Sequence, residues 1–388
     1  MRDVLSVIKK VLLVAVVSAF FYAPLRADTF VVGEHQTVIG NLYGIKSRAE
    51  YSLVDVARHF DLGYNEITAA NRQLNVWLPG DDNVVLIPAR FILPRTPHSG
   101  IVLNLAEMRL YYYRALTQHG KREIVTYPVG IGRESWETPT LTTAVTEKKA
   151  QPSWFVPESI RIEYLAKGKQ LPAVVKPGPD NPLGEYALRL GDTGYLIHGT
   201  NRPGGIGMRV SHGCIRLYPE DIESLFAQVA LGTQVRIVDE PAKAGFLDGQ
   251  LYLEAHAPYD GSRTQDQVIA SATEVIAQTA LGRSVAVNWD RVREVMREAN
   301  GIPTAIGVTR PLDRQSSWML IAGSFDAESK ARSLAARIGE ARLESRTWTV
   351  ANRYQVEVGP FADVHQADYA RKLIRQRTGI LALKIPPG

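Results

Sequence analysis

The sequence predicts a multidomain chain whose central domain is mainly β, with a small α+β module before it and a βαββαβ domain after it. Three observations carry this. Between Ile101 and Val238, short β-like runs follow one another with Gly and Pro as punctuation. Ahead of them, residues 28–94 read strand, helix, helix, strand. Near the C-terminus one pattern occurs twice, Trp318–Phe325 (WMLIAGSF) and Tyr354–Phe361 (YQVEVGPF), each followed by a helical stretch. A length of 388 residues suits two to four domains of roughly 100–200 residues.

Residues 1–27 read as a secretory signal. Arg2, Lys9 and Lys10 precede an apolar run, Val11 to Tyr22, followed by Ala23-Pro24-Leu25-Arg26-Ala27. That run is about a dozen residues, short of the ~20 needed for a membrane-spanning helix. The expectation is export, with no membrane span once the signal is removed. The same segment carries +3 of the formal charge of +5, so the rest holds +2, too little to argue for nucleic acid as a partner. With one cysteine, Cys214, no intrachain disulfide forms. A composition of 45% hydrophobic and 22% charged residues is globular and excludes a disordered or collagen-like chain.

In the 28–94 module, Thr29–Val32 reads as the first strand, Ser52–Phe60 and Ile67–Asn71 as helices, and Val84–Pro88 as the closing strand. The central domain, 98–240, opens with a hairpin, Ile101–Leu105 and Arg109–Tyr113, about Ala106-Glu107-Met108. Ile124–Val129, Leu141–Val145, Tyr186–Leu190, Tyr195–Ile197 and Val235–Val238 continue the series. Within it, Pro219–Ala230 is helical. Pro219 and three acids suit a helix start, and Ile222, Leu225, Phe226 and Val229 share a face. Residues 241–300 begin with a strand, Leu251–Ala255, then turn helical as a satellite of the β domain. Residues 301–315, with Pro303 and Pro311, read as a linker, and 316–388 as one four-stranded sheet covered by two helices.

The chemistry concentrates in Tyr195–Leu217, YLIHGTNRPGGIGMRVSHGCIRL. His198, His212 and Cys214 fall within seventeen residues, among several glycines. A thiol attacks as its thiolate, and an ordinary pKa of about 8.5 leaves only a few per cent ionised at neutral pH. A neighbouring imidazole accepts the proton and later hands it to a leaving amine. Glycines let main-chain N–H groups approach a reacting carbonyl and form an oxyanion hole. Spacing leaves the base open. His212 is two residues from Cys214 and shares its face if the segment is extended, whereas His198 ends the run YLIH and returns through a loop. A zinc site built from His198, His212 and Cys214 competes, but the run has no C-x-x-C, no H-x-x-x-H and no companion carboxylate.

HGT followed by SHGCIR resembles the His…[Ser/Thr]-His-Gly-Cys signature of YkuD-type L,D-transpeptidases, most of all the ErfK/YbiS/YcfS/YnhG group of Gram-negative bacteria. GIVLNLAEMRLYYY, YPVGIG, KKAQPSW, LPAVVKPGPDNPLGEYAL and GIGMRVSHGCIRL extend the likeness over about residues 30 to 255. The resemblance implies a β-sandwich with a helix, Cys214 as nucleophile, His198 as general base and His212 in support. It also implies oxyanion donors at Gly213 and Cys214, and substrate contacts from Ser211, Arg216, Gly199 and Thr200. The implied reaction moves the diaminopimelate acyl group of a stem tetrapeptide onto the thiol, releases D-Ala, and passes the acyl group to an amine. That amine belongs to a second stem or to the C-terminal Lys of a small outer-membrane lipoprotein. No metal and no organic cofactor is implied. A hydrolase on the same fold and a non-catalytic wall-binding protein are the alternatives.

The first module resembles a LysM module in Val56-Ala57, Asn71 and Ile87-Pro88, with a longer connection before Ser52. The C-terminal repeat, with both Gly-x-Phe ends, resembles a SPOR domain, a ferredoxin-like βαββαβ fold whose family binds peptidoglycan glycan strands. Trp318, Trp348 and Tyr354 are its candidate sugar platforms. Together the resemblances imply a periplasmic protein, enriched at the division septum, whose partners are stem peptides and glycan strands.

Overall fold

The computed structural model describes residues 29–387 apart from 34–35, 118–119, 260–263, 282, 284, 310–315 and 351–352, so the signal expected at 1–27 lies outside the described residues. The first elements are β1 (Thr29–Val32), β2 (Val38–Lys46), α1 (Leu53–His59), α2 (Tyr64–Ala70) and β3 (Val84–Ile92). One sequence expectation is corrected at once. β1 belongs to the central sheet, with Thr29 opposite Val125 and Val32 opposite Arg122. The module's own first strand is β2, paired antiparallel with β3 from Val38–Ile92 to Lys46–Val84. Gly40, Asn41 and Gly44 break the apolar alternation of β2, which hides it from pattern reading. Ser52 caps α1: its Oγ accepts from the Asp55 N–H while the Asp55 carboxylate accepts from the Ser52 N–H.

The central domain comprises β4 (Gly100–Asn104), β5 (Arg109–Leu116), β6 (Arg122–Pro128), β7 (Ile131–Gly132), β8 (Leu141–Ala150), β9 (Trp154–Phe155), α3 (Glu158–Ala166), β10 (Val174–Val175), β11 (Tyr186–Leu190), β12 (Leu196–His198), β13 (Arg209–Ser211), β14 (Ile215–Arg216), α4 (Pro219–Gln228) and β15 (Gln234–Val238). Its main sheet runs β1-β6-β5-β4-β15-β8-β11-β12-β14. The hairpin β4–β5, the pair β11–β12 and helix α4 fall where the pattern puts them. Alternate residues such as Ile101, Leu103, Ile197 and Ile215 point into one core, onto which α4 lays Ile222 and Leu225. The sequence reading missed the stretch 151–183, which contributes β9, α3 and β10 beside the site. Its apolar residues Ile160, Ile162 and Tyr164 alternate as in a strand. In the helix, Ile160 is buried while Ile162 and Leu165 are exposed.

Residues 241–309 form a small α/β unit rather than a strand with a helical tail. β16 (Ala242–Leu247), β17 (Gln250–Ala255), α5 (Gln265–Thr279), β18 (Val285–Val287), α6 (Trp289–Glu298) and β19 (Thr304–Thr309) build a sheet of order β16-β17-β19-β18 with its own core. The linker expected at 301–315 is therefore corrected in part. β19 pairs with both β17 and β18 because Ile306 completes that core, and 310–315 lie outside the described residues. The last unit is β20 (Trp318–Phe325), α7 (Glu328–Gly339), β21 (Ser345–Val350), β22 (Arg353–Phe361), α8 (Val364–Thr378) and β23 (Leu383–Ile385). Its sheet order is β21-β22-β20-β23, the single helix-covered sheet that the repeat predicts.

The first module is bolted to the central domain. Arg109, 1% exposed, donates from Nε to Glu66 Oε1 at 2.7 Å and from Nη2 to Glu66 Oε2 at 2.8 Å. Arg58 reaches Glu220, and the Tyr218 hydroxyl donates to the Leu62 carbonyl. The start of α2 lies against the loop before β13: Tyr64 N–H donates to Ile206 O at 2.9 Å and Asn65 N–H to Gly207 O at 3.2 Å. A Cβ on Gly63 would stand 2.7 Å from Gly207 Cα, so this approach requires glycine.

Candidate active site

β12 and β14 run parallel, with Ile197 opposite Ile215 and His198 opposite Arg216. Side chains alternate across a strand, so Ile197 and Ile215 share the core face. Leu196, His198, Cys214 and Arg216 share the other. These four line a cavity of about 600 Å³, walled by Trp154 and Tyr164 from the 151–183 stretch. Because His198 pairs with Arg216, Cys214 is its diagonal neighbour across the pair.

Electrostatics set the resting protonation. Burial pushes the Cys214 thiol up, against the Leu196 N–H and the Arg216 cation, which favour its thiolate. Burial drives His198 down to about 3, and Arg216 pushes the same way. Nδ1 of His198 lies 2.6 Å from the Gly199 carbonyl and donates to it, and the Leu183 carbonyl also favours the protonated ring, both outweighed by burial. At neutral pH the thiol therefore keeps its proton and the imidazole is neutral. The resting state is thus thiol and neutral imidazole, not thiolate and imidazolium.

Residues 98–237 match the YkuD L,D-transpeptidase catalytic domain family, and residues 315–382 match the SPOR domain family. The probable L,D-transpeptidase YbiS of Escherichia coli (strain K12) is 40% identical over 73% of this chain and 91% of its own length. The chain belongs to the L,D-transpeptidase family. The probable L,D-transpeptidase ErfK/SrfK of Salmonella typhimurium is 40% identical over 67% of this chain and 84% of its own. YcfS of Escherichia coli, likewise a probable L,D-transpeptidase, is 38% identical over 66% and 80%. Among solved structures, the NMR structure of the catalytic domain from E. faecium L,D-transpeptidase aligns with 37% of this chain and 99% of that chain, at 22% identity and a TM-score of 0.28.

In this L,D-transpeptidase the second signature histidine lines the same cavity and is tied to a carboxylate. His212 Nε2 lies 3.0 Å from Glu163 Oε2 and 3.1 Å from Arg133 Nη2, and Trp136 meets its ring edge-on at 4.9 Å. Glu163 also accepts from Lys167 and Arg133, each at 2.6 Å. Lys167 first, then His212 and Arg133, hold its carboxyl down at about 2. Sequence reasoning missed this clamp, because Glu163, Arg133 and His212 meet only once α3 has folded.

Of three expected substrate contacts, Ser211 lines the cavity and Gly199 and Thr200 do not. Ser211 is buried, and its Oγ donates to Cys214 O at 2.6 Å and accepts from Gly213 N–H at 3.1 Å. Gly199 lends its carbonyl to His198, and the buried Thr200 hydroxyl accepts from Arg202 N–H at 3.0 Å. Because Ser211 takes the Gly213 N–H, the oxyanion donor expected at Gly213 is already engaged. Gly213 itself is required by its φ of +99°, and a Cβ there would stand 2.7 Å from Tyr195 Cε1. Arg216 does face the cavity, half-buried, and among the described residues no carboxylate pairs with it.

The zinc reading finds no geometry. Among the described residues, the group of His, Cys and carboxylate side chains whose ligand atoms lie within 4.8 Å is Glu107, Glu254 and His256. That space is taken by the Lys243 ammonium, which bonds both carboxylates. In the SPOR domain only Trp348 is an open platform, 44% exposed with Arg346 over its ring. Trp318 and Tyr354 are half-buried against the core, with the Lys384 ammonium 5.7 Å from the Trp318 ring centre. No helix among the described residues is long and apolar enough to cross a membrane.

Proposed function

We propose that this chain is a periplasmic L,D-transpeptidase that draws the diaminopimelate acyl group of a peptidoglycan stem tetrapeptide onto Cys214. The observation that carries this reading is the placement of Cys214 and His198 on one face of adjacent parallel strands, at the wall of a cavity large enough for a peptide. As the sulfur attacks the carbonyl of the third stem residue, His198 Nε2 takes the thiol proton. It returns that proton to the amine of the terminal D-Ala, which leaves, and a thioester remains. An acceptor amine then enters, gives its proton to His198 and displaces the thiolate. A thioester suits this path because it resists water longer than it resists an amine. The unpaired Arg216 cation suits a stem carboxylate, which would replace the partner it lacks.

Acceptor choice divides into the diaminopimelate of a second stem, giving a 3→3 crosslink, and the terminal Lys of an outer-membrane lipoprotein. The βααβ module at 38–92, LysM-like in Val56-Ala57, Asn71 and Ile87-Pro88, and the SPOR domain with Trp348 on its open face would hold the enzyme on the wall and raise the local substrate concentration. The proposed division is a signal at 1–27, wall-binding modules at both ends, a catalytic domain at 98–240 and a satellite extending through β19. Muropeptide analysis tests the reading. In a host lacking its own such enzymes, wild type should add 3→3 dimers or lipoprotein-linked stems and Cys214→Ala should add neither. Identical profiles would refute it.

A further inference from the structure

Oxyanion stabilisation by the main chain depends on how one peptide plane is held. In a trans peptide the C=O and the following N–H point in opposite directions. In the plane joining Gly213 to Cys214, the Gly213 carbonyl accepts from the Thr138 hydroxyl at 2.8 Å. The Cys214 N–H therefore points away from Thr138. Among the described residues none is recorded as accepting from it, whereas the Gly213 N–H is committed to Ser211. One main-chain donor is left over at the nucleophile, and Thr138 fixes its direction.

Thr138 is itself held on two further sides. Its Oγ1 accepts from the Gly132 N–H at 2.9 Å, so the hydroxyl proton has Gly213 O as its recorded acceptor. Its N–H donates to the Tyr259 hydroxyl at 2.9 Å. Tyr259 follows β17 in the chain, its ring packs in the central domain's core, and the Arg209 guanidinium covers it at 4.5 Å. Thr138 is 1% exposed and does not line the cavity. Its hydroxyl meets no substrate.

We propose that Thr138, buttressed by Tyr259, is a positioning residue that aims the Cys214 N–H at the developing oxyanion. This rests on the Cys214 acyl-transfer reading. The segment after β17 thereby has a role in catalysis without contributing a group to the cavity. Thr138→Val keeps the shape and loses the hydroxyl. The plane can then rotate, and the donor is no longer preorganised. Losing one oxyanion donor outright costs about 10²–10³-fold in kcat, so a misaimed one should cost about 10- to 100-fold, with KM little changed. Tyr259→Phe should cost less, because the Thr138 N–H loses only its anchor.

The test compares two reactions of the same sulfur in the full mature chain. Acyl transfer from a stem tetrapeptide, read as D-Ala release, forms an oxyanion. Alkylation by iodoacetamide forms none. Thr138→Val should lower kcat for D-Ala release while the alkylation rate and its pH dependence stay at wild type, and Thr138→Ser should restore kcat. If Thr138→Val lowers both rates together, or neither, or if the Ser variant fails to rescue, the inference is overturned. Cys214→Ala separates the two levels. If it still releases D-Ala, the acyl-transfer reading fails. If it is inactive while Thr138→Val releases D-Ala at the wild-type rate, only the positioning role fails.

Discussion

At Cys214 and His198 the environment works against the charge-separated pair. Burial lifts the thiol and depresses the imidazole, so each side chain favours its neutral form. The iodoacetamide rate of the free enzyme should therefore climb with pH through a midpoint above the ordinary thiol value. A rate plateau between about pH 4 and 7, as a thiolate–imidazolium pair gives, would contradict this. The nucleophile and the base were legible in the sequence, because both sit in one run and resemble a known signature. What lay outside that reading acts across the fold: the Leu196 N–H at the sulfur, the Thr138 hydroxyl under Gly213 and the Glu163 carboxylate on His212. None of these shares a short spacing with Cys214, and pattern reading finds only what is near in the chain or periodic.

Helix α3 illustrates the same limit for an element. Residues Ile160 to Tyr164 alternate like a strand, yet they form a helix that buries Ile160, sets Tyr164 at the cavity wall four residues on, and ties to His212 through Glu163. Strand β2 was hidden by its glycines and β19 by its position after Pro303, whereas α4 announced itself through Pro219 and a clear apolar face. The clamp on α3 makes a prediction of its own. Glu163→Gln leaves Arg133 and Lys167 without their shared carboxylate and frees the cavity wall. KM for a stem tetrapeptide should rise about tenfold, the worth of one charge-assisted bond, with a smaller change in kcat measured by D-Ala release. An unchanged KM would remove the clamp from substrate binding. Glu163 titrates at about 2, below the ordinary carboxylate range. The clamp is therefore complete above that range and is lost as pH falls toward 2.

Across the whole molecule, the module order and the central and C-terminal folds could be read from periodicity and repeats, but the docking of modules could not. Arg109 and Glu66 are 43 residues apart and form a bidentate pair that is nearly solvent-free. Arg109→Met should cost about 3–5 kcal/mol in urea unfolding, because it strands a buried carboxylate. Adding Glu66→Met should recover part of that loss. Equal stability of the single and double variants would deny the coupling. The C-terminal domain has a separate core, so deleting residues 316–388 should leave D-Ala release intact and disperse any septal fluorescence of a tagged protein. Unchanged placement would dismiss its targeting role. That acyl transfer runs through the single thiol is read out by intact-protein mass spectrometry with a stem tetrapeptide whose diaminopimelate side-chain amine is acetylated, so that no acceptor amine is present. The expected mass gain is that of the tetrapeptide less D-Ala, mapped to Cys214. No adduct, or an adduct on any other residue, would contradict it.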